Sequence, residues 1–395
     1  MQSLLEENSI IRFLFVFLLG IILIRIWRTI ACKTGLVDKP DARKLHAGVI
    51  PLVGGLAVYS SIVIVAVILG RNNTEFLCYL ALSGILVVTG TLDDKFTISA
   101  KFRLFIEFVA ACVMIFGAGV YVKSLGNLFG LGDIALPLVV ALPFTLLLVA
   151  GYINAMNMSD GIDGMAASLS VMTIITLLIL MHGRDNLFIL PIVTLAAALM
   201  AFLVYNLQLI KGIRKVFLGD AGSMLLGFTF VWLVIRLSEG DRFIQAQFSP
   251  VTALYVLGLP LVDMVSTIIR RMKKGQNPLK PDRTHVHHIL LRAGFTLRQT
   301  LLITIVLGAI FHGIGISLHY ASAPDWAQFA VFLGICGIYY RAVAKAFRLS
   351  QILRLLRKTR HPVRLVKALV IYRRQRKHRL AEQRLNRNLT HQINH

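Results

Sequence analysis

The chain has 395 residues, of which 56% are hydrophobic and 15% charged. An ordinary soluble domain carries roughly 45–50% apolar and about 25% charged residues, so these totals exclude a water-soluble globular domain. A net charge of +23 would fit nucleic acid. In a membrane chain the cheaper explanation is topology-setting lysine and arginine, and no nucleic-acid partner is expected.

The apolar surplus is gathered near 10–30, 50–70, 76–92, 102–121, 134–152, 165–182, 187–206, 222–236, 247–269, 299–319 and 326–345. A helix of about twenty residues crosses the hydrocarbon core. The expected fold class is therefore an all-α polytopic membrane protein with about eleven transmembrane helices. Glu6 and Glu7 precede the first run, where a signal peptide would carry bases. Cys32, Cys78, Cys112 and Cys336 have no paired or metal-type spacing and read as small hydrophobes.

Bases collect in alternate connections: Lys33, Lys39, Arg43 and Lys44, then Lys95, Lys101 and Arg103, then Lys211, Arg214 and Lys215, then 270–298. The positive-inside rule puts these in the cytoplasm, with the N-terminus periplasmic and the C-terminus cytoplasmic. Residues 1–345 form the expected transmembrane domain and 346–395 a basic cytoplasmic tail. That tail is either an inner-leaflet strip against membrane lipids or simply topology-setting charge.

Five polar clusters interrupt the runs, all at ends assigned to the cytoplasm. The first, from Asp38 to His46 with Lys44, precedes Gly54-Gly55 at a helix start. Free N–H groups there, beside bases, would suit a phosphate, although a solvated interfacial loop explains the bases as well. The second is Asp93-Asp94 at the C-terminal end of the third run. Two acids there repel each other and meet the wrong end of the helix dipole, so a cation, a metal or acid–base duty is needed to explain them.

The third cluster packs Asn154, Asn157, Asp160, Gly161, Asp163 and Gly164 between two runs. On an unbroken helix Asp163 would point away from Asn154, so the glycines are expected to break the helix and let the polar groups converge. Capping with Asp-Gly turns is the plainer alternative. The fourth, Phe217-Leu218-Gly219-Asp220-Ala221-Gly222-Ser223, offers either an N-cap or an oxygen ligand of the kind Mg²⁺ takes. The fifth is Asp282-Arg283-Thr284-His285-Val286-His287-His288, followed by Arg292. No Cys or acid stands at zinc-site spacing, so these side chains read as donors to phosphate or sugar oxygens, against a purely structural loop.

These clusters, in this order, resemble the polyprenyl-phosphate N-acetylhexosamine-1-phosphate transferase family. The diagnostic pieces are Leu92-Asp93-Asp94, the Asn154–Gly164 stretch, Phe217-x-Gly219-Asp220-x-Gly222-Ser223 and His285-x-His287-His288. The segment 281–288 with Arg292-Ala293-Gly294-Phe295 is similar to the WecA branch, the bacterial undecaprenyl-phosphate GlcNAc-1-phosphate transferases. The branch acting on UDP-MurNAc-pentapeptide has a different segment before its histidines.

The resemblance implies ten or eleven transmembrane helices in the bacterial inner membrane and an active site on cytoplasmic loops. It also implies UDP-GlcNAc as donor, undecaprenyl phosphate as acceptor and Mg²⁺ or Mn²⁺ as cofactor. The products would be UMP and undecaprenyl-diphospho-GlcNAc, toward O-antigen or enterobacterial common antigen. By similarity, Asp220 is a metal ligand with Asn157 a second, and Asp93 and Asp94 serve as base or acceptor-positioning groups. Phe217 is placed to stack on uracil, Asp160 and Asp163 to bind nucleotide, and Asn206 to touch uridine. Lys44, Arg283, His285, His287 and His288 would hold phosphates or sugar, and Asn154 is assigned to substrate or to structure. Competing readings are a different UDP-sugar donor and a secondary transporter, whose ionisable groups would sit nearer mid-bilayer. A homodimer is left open.

Overall fold

The computed structural model describes residues 8–39, 48–70, 73–182, 188–240, 245–276, 285–345 and 350–354. Among them run α1 (Ser9–Thr34), a short ribbon of β1 (Val37–Asp38) with β2 (Ile50–Pro51), α2 (Gly54–Ile68), α3 (Thr74–Phe96) and α4 (Ala100–Ala118). Then follow α5 (Leu138–Met158), α6 (Met165–Leu180), α7 (Ile189–Asn206), α8 (Gly219–Glu239) and α9 (Pro250–Met272). The last are α10 (Val286–Arg292), α11 (Leu297–Tyr320) and α12 (Asp325–Ala344).

Each predicted apolar run lies over one helix, and the short α10 falls in the described part of the hydrophilic connection. Among the described residues, eight helices (α1, α3, α5, α7, α8, α9, α11, α12) are long and apolar enough to cross a membrane, and α2 and α6 are shorter apolar helices. Lipid offers backbone groups no partners, so internally bonded helices are the form such runs must take. The chain is an all-α, multi-pass membrane protein.

The run that looks shortest in sequence becomes the axis. α8 is buried along nearly its whole length and packs against α3, α5, α2 and α9. Small residues make that approach possible: a Cβ on Gly55 would run into Gly222, and one on Gly90 would lie 2.5 Å from the Ala221 Cα. Without a hydrophobic drive between helices in lipid, such close contact supplies the packing. The far end of α8 is tied by a bidentate pair, Arg236 to Glu75 at 2.7 and 3.0 Å.

A second apolar cluster joins α6, α9, α10, α11 and α12. α9 is broken at Gly258 (φ 37°, ψ −127°), two residues before Pro260. Leu353, in the described part of the tail, packs on this cluster, and Arg354 donates to the Arg292 carbonyl at 2.5 Å.

Candidate active site

The polar clusters meet at one end of the bundle, around a cavity of about 930 Å³. Its wall includes Asp94, Asn157, Asp160, Asp163, Phe217, Asp220 and His288, with Arg28, Arg214 and Lys215. Alternating helix direction explains the gathering, since the C-terminal ends of α3, α5 and α7 meet the N-terminal ends of α4, α6 and α8.

The acids at the end of α3 have the compensation their position demands. Asp93 pairs with Arg103 at 2.9 Å, and the same guanidinium lies 3.8 Å from both Asp220 and Glu107. The Asp94 carboxylate accepts from the backbone N–H of Asp220 at 2.9 Å and of Ala221 at 3.4 Å. A carboxyl group is thereby set at the N-terminus of α8, the end at which the dipole favours negative charge. Gly219 makes this contact possible, because its φ is +77° and a Cβ there would press on the Asp94 carboxylate.

The Asn154–Gly164 stretch does break. α5 ends at Met158 and α6 begins after Gly164, whose φ is +73°. Asn157 donates to the Asp220 carboxylate and, at 3.1 Å, to the Ser223 hydroxyl. Asn154 instead reaches back along the bundle, donating to Glu107 at 2.6 Å and to the Ala150 carbonyl at 2.8 Å. Asp163 pairs with Lys215 at 2.5 Å, and the Lys215 ammonium also lies 5.1 Å over the Phe217 ring. Asp160 is half-buried on the cavity wall. Burial first, then the Asp220, Asp94 and Asp163 carboxylates, push its carboxyl well above the usual range.

Phe217 is fixed by its backbone. Its N–H donates to the Pro51 carbonyl, and its carbonyl accepts from Val53 and Gly54. The Gly55 N–H likewise goes to the Leu218 carbonyl at 2.9 Å. Of the two readings of the Gly54-Gly55 helix start, this removes the phosphate site formed by free N–H groups, since its first N–H groups are already spent on the chain. Asn206 is buried in the wall and donates to the Val216 carbonyl at 2.9 Å, with its own carbonyl oxygen unpartnered.

His285 is buried against Asp263 at 2.8 Å. His287 is buried, with neither ring nitrogen partnered, and a Cβ on Gly161 would run into its Nε2. Burial, then His288, lowers the His287 imidazole to about 3, so it is neutral at physiological pH. His288 stands beside it, ring centroids 4.1 Å apart, and reaches the cavity wall. Lys44 and Arg283 lie outside the described residues.

Sequence reasoning treated Arg103, Arg214 and Lys215 only as topology markers and did not single out Arg28. The signal available was their position: a base at the end of an apolar run serves the membrane interface and a pocket equally well. Crowded oxygen donors around a single guanidinium are of the kind a hard divalent cation takes. Among the described residues no three His, Cys, Asp or Glu side chains converge into a cage.

Comparison with known proteins fits this geometry. The family model described as Glycosyl transferase family 4 matches residues 76–238, from α3 through α8. The chain is 37% identical over 347 residues to an undecaprenyl-phosphate alpha-N-acetylglucosaminyl 1-phosphate transferase of Yersinia pestis, covering 86% of this chain and 93% of that protein. The chain belongs to this family. Proteins of the same name from Escherichia coli strain K12 (38% over 334 residues; 83% of this chain, 89% of that one) and Pasteurella multocida (35% over 334 residues; 84% and 92%) are also similar. Within the Glycosyl transferase family 4 match fall Asp93, Asp94, Asn157, Asp160, Asp163, Phe217 and Asp220, whereas α10 with its histidines lies beyond it. Family membership makes the chain a transferase enzyme.

Proposed function

We propose that this chain transfers GlcNAc-1-phosphate from UDP-GlcNAc to undecaprenyl phosphate, releasing UMP, at the cytoplasmic face of the bacterial inner membrane. The observation that carries the reading is the meeting of Asp94, Asn157, Asp160, Phe217, Asp220 and His288 on one cavity at one end of an apolar bundle. Such a place is reached both by a lipid head group and by a soluble nucleotide. An orientation with the N-terminus periplasmic and the C-terminus cytoplasmic follows from the basic connections, and the odd number of about eleven apolar runs agrees with it.

In the reaction a phosphate oxygen of the lipid attacks the donor β-phosphorus. A new P–O bond forms, the bond to the bridging oxygen breaks, and its electron pair leaves with UMP. Both reactants are anionic, so neutralisation and alignment carry most of the catalysis. A phosphate monoester has a second pKa near 6, so the nucleophile is largely ionised at neutral pH and no strong base is needed.

Arg28, Arg214 and Lys215 supply positive charge to the cavity wall. Phe217 offers a ring face to the uracil, with Lys215 and Asp163 beside it fixing that edge. Asp94 and Arg103 fix the start of α8, so that Asp220 faces the cavity on a rigid turn. His288 provides a donor toward phosphate or sugar oxygens. Asp220, with Asn157, would hold Mg²⁺ or Mn²⁺. When bound, the ion supplies charge neutralisation at the diphosphate.

The test is donor competition in purified protein with undecaprenyl phosphate. UMP release should be fastest from UDP-GlcNAc, and a clear preference for UDP-GalNAc or UDP-MurNAc-pentapeptide would refute the donor assignment.

A further inference from the structure

Away from the cavity wall, three buried polar side chains from distant parts of the chain meet. Asp263 lies on α9 just past the break at Gly258 and Pro260. One of its oxygens takes the His285 Nδ1 at 2.8 Å, and the other accepts the Tyr339 hydroxyl of α12 at 2.6 Å. All three residues are at most 9% exposed. We propose that Asp263 and Tyr339 are positioning residues that hold the histidine helix α10 against the donor site. This rests on the reading of the cavity as a UDP-sugar site.

The chain of contacts is continuous. A carboxylate against Nδ1 fixes both the orientation of an imidazole and which nitrogen carries its proton. His285 is the N-cap residue of α10, and no side chain caps that seven-residue helix. Holding His285 therefore holds the first turn. The His287 ring stacks on His285, with centroids 6.0 Å apart and planes 5° apart, and His288 follows on the cavity side. Among the described residues the His287 ring nitrogens have no hydrogen-bond partner, and the ring packs between His285, His288 and Gly161. Tyr339 locks Asp263, Asp263 locks His285, and the stack sets His288.

Stability alone is a poor reason for this arrangement. Burying charged and polar groups together is often no better than apolar packing of the same shape, whereas breaking such a set is costly. What an apolar replacement could not do is aim an imidazole. Asp263 acts through His285 and does not itself reach the cavity wall.

The experiment compares full-length wild type with Asp263→Asn and Tyr339→Phe by two readouts. Hydrogen exchange over residues 285–292 does not depend on which substrate is used. It should rise about tenfold in Asp263→Asn and less in Tyr339→Phe, with α3 and α8 unchanged. Steady-state kinetics should show the KM for UDP-GlcNAc rising about tenfold, with the KM for undecaprenyl phosphate within about twofold of wild type. Wild-type exchange rates in α10, exchange raised throughout the bundle, or equal rises in both KM values would overturn the inference. Faster α10 exchange in a protein whose wild type releases no UMP from UDP-GlcNAc would leave the positioning role standing and remove the donor assignment. Tyr339→Phe, which deletes one oxygen, serves if Asp263→Asn does not fold.

Discussion

The Asp94 carboxylate accepts the backbone N–H of Asp220 at 2.9 Å, joining the end of α3 to the start of α8 across 126 residues of sequence. The contact does for α8 what an N-cap residue does from within a helix. Asp94→Ala should therefore lower stability by about 1 kcal/mol, the usual cost of losing a cap, and lower turnover as well. Asp94→Asn, which keeps an acceptor oxygen but not the charge, should recover most of the stability and little of the activity. Thermal unfolding in detergent beside UMP release separates the two effects.

Among the described residues the Asp220 side chain meets Asn157, Asp93 and, at 3.8 Å, the Arg103 guanidinium, contacts that an amide in its place can also make. Asp220→Asn should nearly abolish UMP release while leaving the thermal midpoint close to wild type. Wild-type turnover in that variant would remove Asp220 from the reaction.

Arg103 faces Asp93, Asp220 and Glu107 together. Removing one partner leaves buried carboxylates uncompensated, which costs more than the pair was worth. Because the arginine side chain is 19% exposed, solvent softens the loss, and Arg103→Gln should destabilise by roughly 1–3 kcal/mol. Arg103→Lys, keeping charge without the fork, should fall between. Denaturant titration of the three proteins orders them.

Gly161→Ala tests how tightly α10 is seated. The added methyl would press on the buried His287 ring, and overpacking of this kind costs about 1–3 kcal/mol. Turnover should drop with the donor KM raised, because a displaced His287 would push His288 off the wall. Kinetics matching wild type would show that His287 has room to yield.

Asp160 gives a pH signature. Its folded-state pKa lies well above the ordinary value of 3.8, so the folded chain holds that proton more tightly than the unfolded one. The associated stability is present in full below the unfolded pKa and is lost as pH rises through the folded pKa. Asp160→Asn should therefore be more stable than wild type at pH 8 in chelator-treated protein, and the gap should close toward pH 4. A gap that does not shrink on acidification would contradict this. Activity should fall at every pH.

Much of the fold is legible in the sequence alone. Runs of about twenty apolar residues have one solution in lipid, a helix, because backbone groups left open there are costly. Each run accordingly carries one. Glycines between Asn154 and Asn157 on one side and α6 on the other announced a break, since only a break lets four polar groups face one way. The order of the clusters was enough to state the resemblance.

What the sequence could not show is which partner each group takes. Asp93 and Asp94 read as an uncompensated pair because Arg103 and the start of α8 become their neighbours only on packing. The Gly54-Gly55 helix start left a phosphate site open beside a plain interfacial loop, and its N–H groups prove to be spent on Phe217 and Leu218. The sequence places Asp263 near the cytoplasmic end of its run but does not show that its two oxygens meet His285 and Tyr339. Composition and periodicity are local and survive in the unfolded chain, so one sequence determines helices and the ends that carry charge. Hydrogen-bond partners and compensating charges belong to contacts across tens or hundreds of residues, and those exist only once helix packing has chosen them.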